Sequence, residues 1–552
     1  MQLLGLSALL LLSVQATAVA AEPFRSKDAS AQFHVVAGEM AASREQPGLA
    51  ASEFLKALAI VPDVELAQRS TQLALAARDA GLSLKAARLW LQLEPNALEA
   101  REVIARMALE TGDQAELLRQ GQAIIEGHGG GPDDGYRHVG LILAQAGNDK
   151  GPAALEAMRQ LASRDPGRAG AQHALALTAL RFKDLPAAET AGRKAVELSK
   201  GAPEETLLLV GVLLRTGKQA EADTLIDRLA TAPKGAHTRY VYAQLLLEMD
   251  QIEPARKQLQ RAVAADPKLD DARFALGLLG VHDKNYDEAE KYLKPLLQGP
   301  RAQEAALQLG RMEESRKNWN QALAYYAKVT EGMPMIEALT RRAGVLAKTG
   351  QVGSAHALLS SARDQLPPLG SRLYRAEAEI LLDVDANEAA LKLLDEAIEE
   401  YPDDTDLLYS RSLAHERLGQ LPLAEKDLRG LLAENPDDAR ALNGLGYMLL
   451  TNTKRTDEAA QMIRRAHELE PDDAAIIDSM GWAEYKRGRT QEALTFLQQA
   501  YDKFPDPEVA AHLGEVLWAT GDKDRARGIW NKALADDPEH RVLKETVQRL
   551  DR

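Results

Sequence analysis

Small and large apolar positions recur along this chain in step with proline. Prolines stand at 62, 95, 132, 166, 203, 233, 267, 300, 334, 367, 402, 436, 471, 505 and 538, at intervals averaging 34 residues. Twelve residues before most of them lies a small residue: Ala50, Ala154, Ala255, Ala322, Ala355, Ala390, Ala424, Ala459, Ala493 and Ala526. Four residues further on comes a large one, as in Phe54, Met158, Leu259, Tyr326, Leu359, Leu428, Leu497 and Trp530. Another Ala follows at 57, 262, 362, 397, 466, 500 and 533. Steps of three and four place these residues on one face of a helix, and proline ends that helix by lacking an N–H and crowding the preceding turn. Gly38, Gly310, Gly446, Gly481 and Gly514, 24 or 25 residues before their prolines, sit on a preceding helix. Two helices approaching to about 8–10 Å need small residues where they cross, and the large residue fills the space beside that crossing.

The pattern predicts about fifteen helix-turn-helix units over 33–538, closed by a polar helix at 539–552. A period of 34 with an A-x3-F…P half-signature is that of the tetratricopeptide (TPR) repeat. The expected fold is therefore all-α, an α-α superhelix (TPR solenoid) with a C-terminal capping helix. Asp and Asn beside the prolines, as in Pro471-Asp472-Asp473 and Pro436-Asp437-Asp438, suit the loop and the next helix start. Register drifts between 66 and 235. There the small position falls on Ser83 and Gln120, Pro203 comes about three residues late, and Gly127 to Gly135 reads as a flexible loop or a hinge. This gives an irregular array over 33–235 and a regular one over 236–538. Before them come a polar lead at 22–32 and a stretch at 1–21 that reads as a secretory signal, apolar from Leu3 to Val14 with Ala18-Val19-Ala20 as a cleavage pattern. No later run is long and apolar enough to span a membrane.

Length sharpens the picture, because 552 residues exceed what one hydrophobic core supports. Aromatics are only 5%, so the interior is built from Ala and Leu. A net charge of -15 repels phosphate backbones and argues against nucleic acid as a ligand. The absence of cysteine removes disulfides, thiolate metal sites, cysteine nucleophiles and lipid-modified cysteine.

Nothing in the chain nominates a catalytic centre, a metal site or a cofactor. The eleven histidines are scattered without H-E-x-x-H spacing, and Gly211 to Lys218 lacks the glycine spacing and the Ser or Thr of a phosphate loop. The informative residues lie on the first helices of the C-terminal repeats. Helical spacing about each Gly turns Asn443, Tyr447, Asp478, Trp482, Tyr485, Glu515 and Trp518 toward a concave face, and Tyr409 joins them from the repeat before. Tyr and Trp bury large area at low entropic cost, which favours them as binding anchors. For these aromatics a binding groove and packing between helices are both open. The partners expected are proteins or peptides.

Leu442-Asn443-Gly444-Leu445-Gly446-Tyr447, Ile477-Asp478-Ser479-Met480-Gly481-Trp482, and Ala511-His512-Leu513-Gly514-Glu515-Val516-Leu517-Trp518 together resemble a family of proteobacterial cell-envelope TPR proteins. Glu65 to Thr71 and Ala87-Arg88-Leu89-Trp90 fit the same family. Its members are commonly outer-membrane lipoproteins, and some bind a carboxyl-terminal processing protease and present cell-wall hydrolases to it. The resemblance implies a periplasmic, non-catalytic adaptor. This chain departs from the lipoprotein pattern in having no cysteine to acylate. A scaffold for outer-membrane or polysaccharide assembly is the alternative of the same class, and an enzyme with its site in 66–235 is the alternative of another.

Overall fold

A computed structural model describes residues 28–231, 235–538 and 540–551. The signal expected at 1–21 lies outside the described residues. Among those residues there are 31 α-helices and no strand. Fifteen antiparallel pairs run from Ala29–Ser43 with Pro47–Leu58 to Pro507–Ala519 with Lys523–Asp536, and a single last helix, Arg541–Leu550, follows. Helix begins at Ala29, where the Asp28 carboxylate caps the amides of Ser30 and Ala31, so the polar lead expected through 32 ends four residues earlier.

The alternation of small and large positions is what holds each pair together. Ala50, Ala154, Ala255, Ala322, Ala424, Ala459, Ala493 and Ala526 are fully buried, and so are Phe54, Met158, Leu259 and Leu497. In several pairs the large residue lies against a glycine of the first helix. A Cβ on Gly38 would come within 2.3 Å of the Phe54 ring, one on Gly310 within 2.4 Å of Tyr326, and one on Gly481 within 2.6 Å of Leu497. Glycine at these positions is therefore a steric requirement.

Several prolines do more than end a helix. Pro132, Pro203, Pro334 and Pro507 open the following one, where an N–H has no intrahelical partner to lose. That accounts for the late Pro203. The glycine-rich stretch is likewise shorter than its composition suggests. Helix runs to Gly127 and resumes at Pro132, so only four residues connect the two helices. Gly211 to Lys218 is the end of one helix, a left-handed turn at Gly217 and the approach to the next.

The turn inside thirteen of the fifteen pairs passes once through the left-handed region of backbone space. Gly112, Gly217, Gly350, Gly419, Gly488 and Gly521 supply it in six pairs, and Glu45, Arg78, Lys183, Asp250, Lys284, Lys317 and Asp385 in seven others, at φ between 55° and 63°. Asp79, Asp113, Asp184, Asp438 and Asp473 cap helix starts with their carboxylates, each worth about 1 kcal/mol.

Packing divides the chain into two compact units, Met1–Leu279 and Gly280–Arg552. In the second unit the largest core joins side chains from Ala424 to Leu543. No helix among the described residues is long and apolar enough to cross a membrane.

Candidate functional site

Four first helices of the second unit carry the residues expected to face inward: Thr405–Arg417, Ala439–Asn452, Ala474–Lys486 and Pro507–Ala519. The last two are buried almost all round. Every residue from Ile476 to Glu484 and from Val509 to Leu517 is buried, polar ones included. A face open to solvent would leave Asp478, Trp482 and Glu515 accessible, but they are only 6%, 6% and 8% exposed.

Side chains from successive repeats fill that space. His512, itself buried, approaches Asp478 Oδ2 through Nδ1 at 2.8 Å, one repeat back along the chain. The Trp482 ring stacks on His512 with centroids 4.1 Å apart and planes 18° from parallel, and Tyr485 lies 5.3 Å from Trp482. The Tyr447 hydroxyl donates to Glu508 Oε1 at 2.7 Å and sits 3.3 Å from His512 Nε2. Burial pushes the Tyr447 hydroxyl far above its usual range, and the nearby Glu508, Asp478 and Glu416 charges add to that. A hydroxyl so held is a hydrogen-bond donor and not a nucleophile.

The structure thus brings Tyr447, Asp478, Trp482 and Tyr485 together through His512. It does not bring in the others. Glu515 is bound by Arg549 of the last helix. Trp518 stacks on Trp530 of its own repeat at 5.6 Å, with Lys523 over its face at 4.5 Å. Tyr409 lies under the Arg440 guanidinium at 4.5 Å, and Arg440 is held in turn by Asp406 at 2.5 Å. Tyr409, Asn443, Tyr447, Tyr485 and Trp518 stay half-buried and keep surface to offer a partner.

Two acceptors here have no donor. Asn443 Oδ1 and Asp478 Oδ1 are both buried and make no hydrogen bond. Glu416, on the same run of first helices, accepts from Asn452 Nδ2 at 3.1 Å. Burial pushes its carboxyl up, and Glu508 reinforces the shift. Glu416 and Glu508, both half-buried, therefore leave carboxylate acceptors on this face, complementary to backbone amides or cationic side chains. No group of three or more His, Asp or Glu among the described residues could hold a metal ion.

Sequence reasoning missed His512, the residue on which the cluster turns. It stands 34 positions after Asp478, one full repeat, and that offset was the available signal. Because Trp482 packs here and is not free, Trp482→Ala is expected to cost about 3–5 kcal/mol. Trp518→Ala, half-exposed at the start, should cost clearly less. Thermal melts followed by circular dichroism compare the two, and equal losses would contradict the burial difference.

The Tetratricopeptide repeat family matches residues 139–203, 240–299, 409–474 and 479–540. With the paired helices and their Gly–large contacts, this makes the chain an all-α TPR repeat protein. It is 40% identical over 225 residues to the TPR repeat-containing protein PA4667 of Pseudomonas aeruginosa, a match covering 41% of this chain and 38% of that protein. Over 190 residues it is 30% identical to Superkiller complex protein 3 of Homo sapiens, covering 32% of this chain and 12% of that one. The chain thus spans well under half of each of these relatives. Among solved structures, yeast Tom70 matches over 95% of this chain and all of its own, at 16% identity and a TM-score of 0.35. The Cut9 and Hcn1 assembly of the APC/C matches over 95% of this chain and 96% of that one, at 13% identity and a TM-score of 0.33.

Proposed function

We propose that this chain is a non-catalytic adaptor of the bacterial cell envelope, which binds a periplasmic carboxyl-terminal processing protease and presents substrates such as cell-wall hydrolases to it. The observation that carries the protein-binding part is the half-buried run Tyr409, Asn443 and Tyr447 on two successive first helices. A bound polypeptide stacks its side chains on the accessible part of these rings. The envelope setting is supported by the apolar stretch Leu3 to Val14 with its small-residue cleavage pattern. Likeness to a TPR protein of Pseudomonas supports a bacterial role.

An adaptor acts by raising effective concentration and adds no chemistry of its own. Mixing the full chain with a processing protease and a cell-wall hydrolase should therefore speed hydrolase cleavage by about 100-fold at sub-saturating protease. Tyr409→Ala with Asn443→Ala should abolish most of that gain while leaving the circular dichroism spectrum unchanged. No co-elution with either protein, together with unaltered cleavage, would end this reading.

A further inference from the structure

In the first unit, two successive first helices, Leu98–Thr111 and Pro132–Ala144, and the short connection between Gly127 and Pro132 line a cleft of about 550 Å³. Its acidic groups are matched by bases. His138 Nε2 lies 2.9 Å from Glu102 Oε1, and that hydrogen bond holds the imidazole above its usual range. Asp134 is bound by Arg137 at 2.6 Å, and Arg137 is engaged further by Glu205.

Arg106 is different. It lines the same cleft and makes no hydrogen bond or ion pair with any described residue, and its Nε is buried without an acceptor. The residue is half-buried, so the rest of the guanidinium is open to the cleft, and its planar fork matches the two oxygens of a carboxylate.

The rest of the cleft suits the same ligand. His128 accepts the Gly130 amide through Nδ1 at 3.2 Å, which leaves Nε2 to carry the hydrogen of the neutral ring, and it packs edge-on against His138 at 5.4 Å. Leu141, 54% exposed, and Ile142 form an apolar wall. A lone anion would leave that wall uncovered, whereas a carboxylate carried beside an apolar side chain covers both.

We propose that this cleft binds a carboxylate of a polypeptide, anchored on Arg106, with an adjoining apolar side chain against Leu141. The carboxylate is supplied either by a free C-terminus or by an Asp or Glu side chain. The site is separate from the C-terminal face and does not depend on what that face binds.

Fluorescence anisotropy on the full chain tests it with three labelled hexapeptides. The first ends in Ala-Leu with a free carboxylate, the second is its C-terminal amide, and the third is an amide with Asp before the terminal Leu. The free acid should bind saturably, and Arg106→Met, which keeps the bulk and removes the charge, should weaken it at least about tenfold. Loss of the plain amide identifies the C-terminus as the source when the Asp amide is lost too. Retention of the Asp amide identifies a side chain, and either result sustains the site. Equal binding of the free acid and the plain amide, or no saturable binding of either the free acid or the Asp amide, overturns the proposal without recourse to a variant. So does unaltered binding by an Arg106→Met protein that melts like the parent.

Discussion

Trp530→Ala is expected to remove about 3–5 kcal/mol from the last repeat while leaving the first unit as stable as before. Trp530 is 1% exposed and belongs to the largest core of the second unit. It fills the space opposite Gly514, where a Cβ would come within 2.0 Å of the indole Nε1, and it stacks on Trp518. Because repeats contact mainly their neighbours, the loss should stay local. Hydrogen exchange ought to accelerate in Pro507–Ala519, Lys523–Asp536 and Arg541–Leu550 and remain unchanged in helices before Leu279. The indole N–H is buried without an acceptor, so Trp530→Phe should cost less than the lost volume alone implies. Gly514→Leu by itself drives a side chain into the ring and should cost about 1–3 kcal/mol or more. Combined with Trp530→Ala it partly refills the cavity, so the double variant should be more stable than the two single losses predict. Strict additivity would show that Gly514 and Trp530 are not one packing unit.

The second large effect is expected at Asp478. Removing one member of a buried ion pair leaves the other charged and unsolvated, and Asp478→Ala should cost about 3–5 kcal/mol near pH 6. Burial by itself pushes His512 down. The Asp478 charge and hydrogen bond, helped by Glu508 and Glu515, outweigh it, and the net direction is up. Tyr447 and Trp482, the other groups against the ring, carry no charge in this range. A His held above its unfolded value near 6.5 contributes stability that is complete below that pH and is lost as pH rises through the folded value. Melting of the parent protein should therefore fall on the alkaline side, and Asp478→Ala should flatten that fall. A parent whose melting temperature is level from pH 6 to pH 9 would rule out a charged His512.

The repeat itself was legible because its physics is local. Proline spacing, the buried Ala positions and the large residue four places on are all set within one helix pair, and the contacts of Gly38 with Phe54 and Gly481 with Leu497 follow from that register. The inward positions were legible only as directions. Tyr447 meets Glu508 across 61 residues, and Asp478 meets His512 across 34, so their contacts depend on how tightly successive first helices close on one another. Nothing in the spacing of one helix reveals that, which is why the sequence leaves groove and packing both open for Trp482 and gives no sign that Asp478 is buried. Composition also misled around Gly127 to Pro132, where four glycines in five residues suggest a long mobile loop. Pro132 is a good helix starter, with Asp133 and Asp134 favourably placed in the first turn, and helix resumes at once.

The left-handed residue inside the pairs comes round every 33 to 35 positions from Gly217 through Asp250, Lys284, Lys317, Gly350 and Asp385 to Gly419, whatever side chain stands there. A backbone that resets itself at fixed steps can be cut at one such turn and rejoined at the next with most of its interfaces intact. Length in a molecule of this kind is adjustable one block at a time. A deletion of 34 residues between equivalent turns in the second unit should be far better tolerated than a deletion of 17.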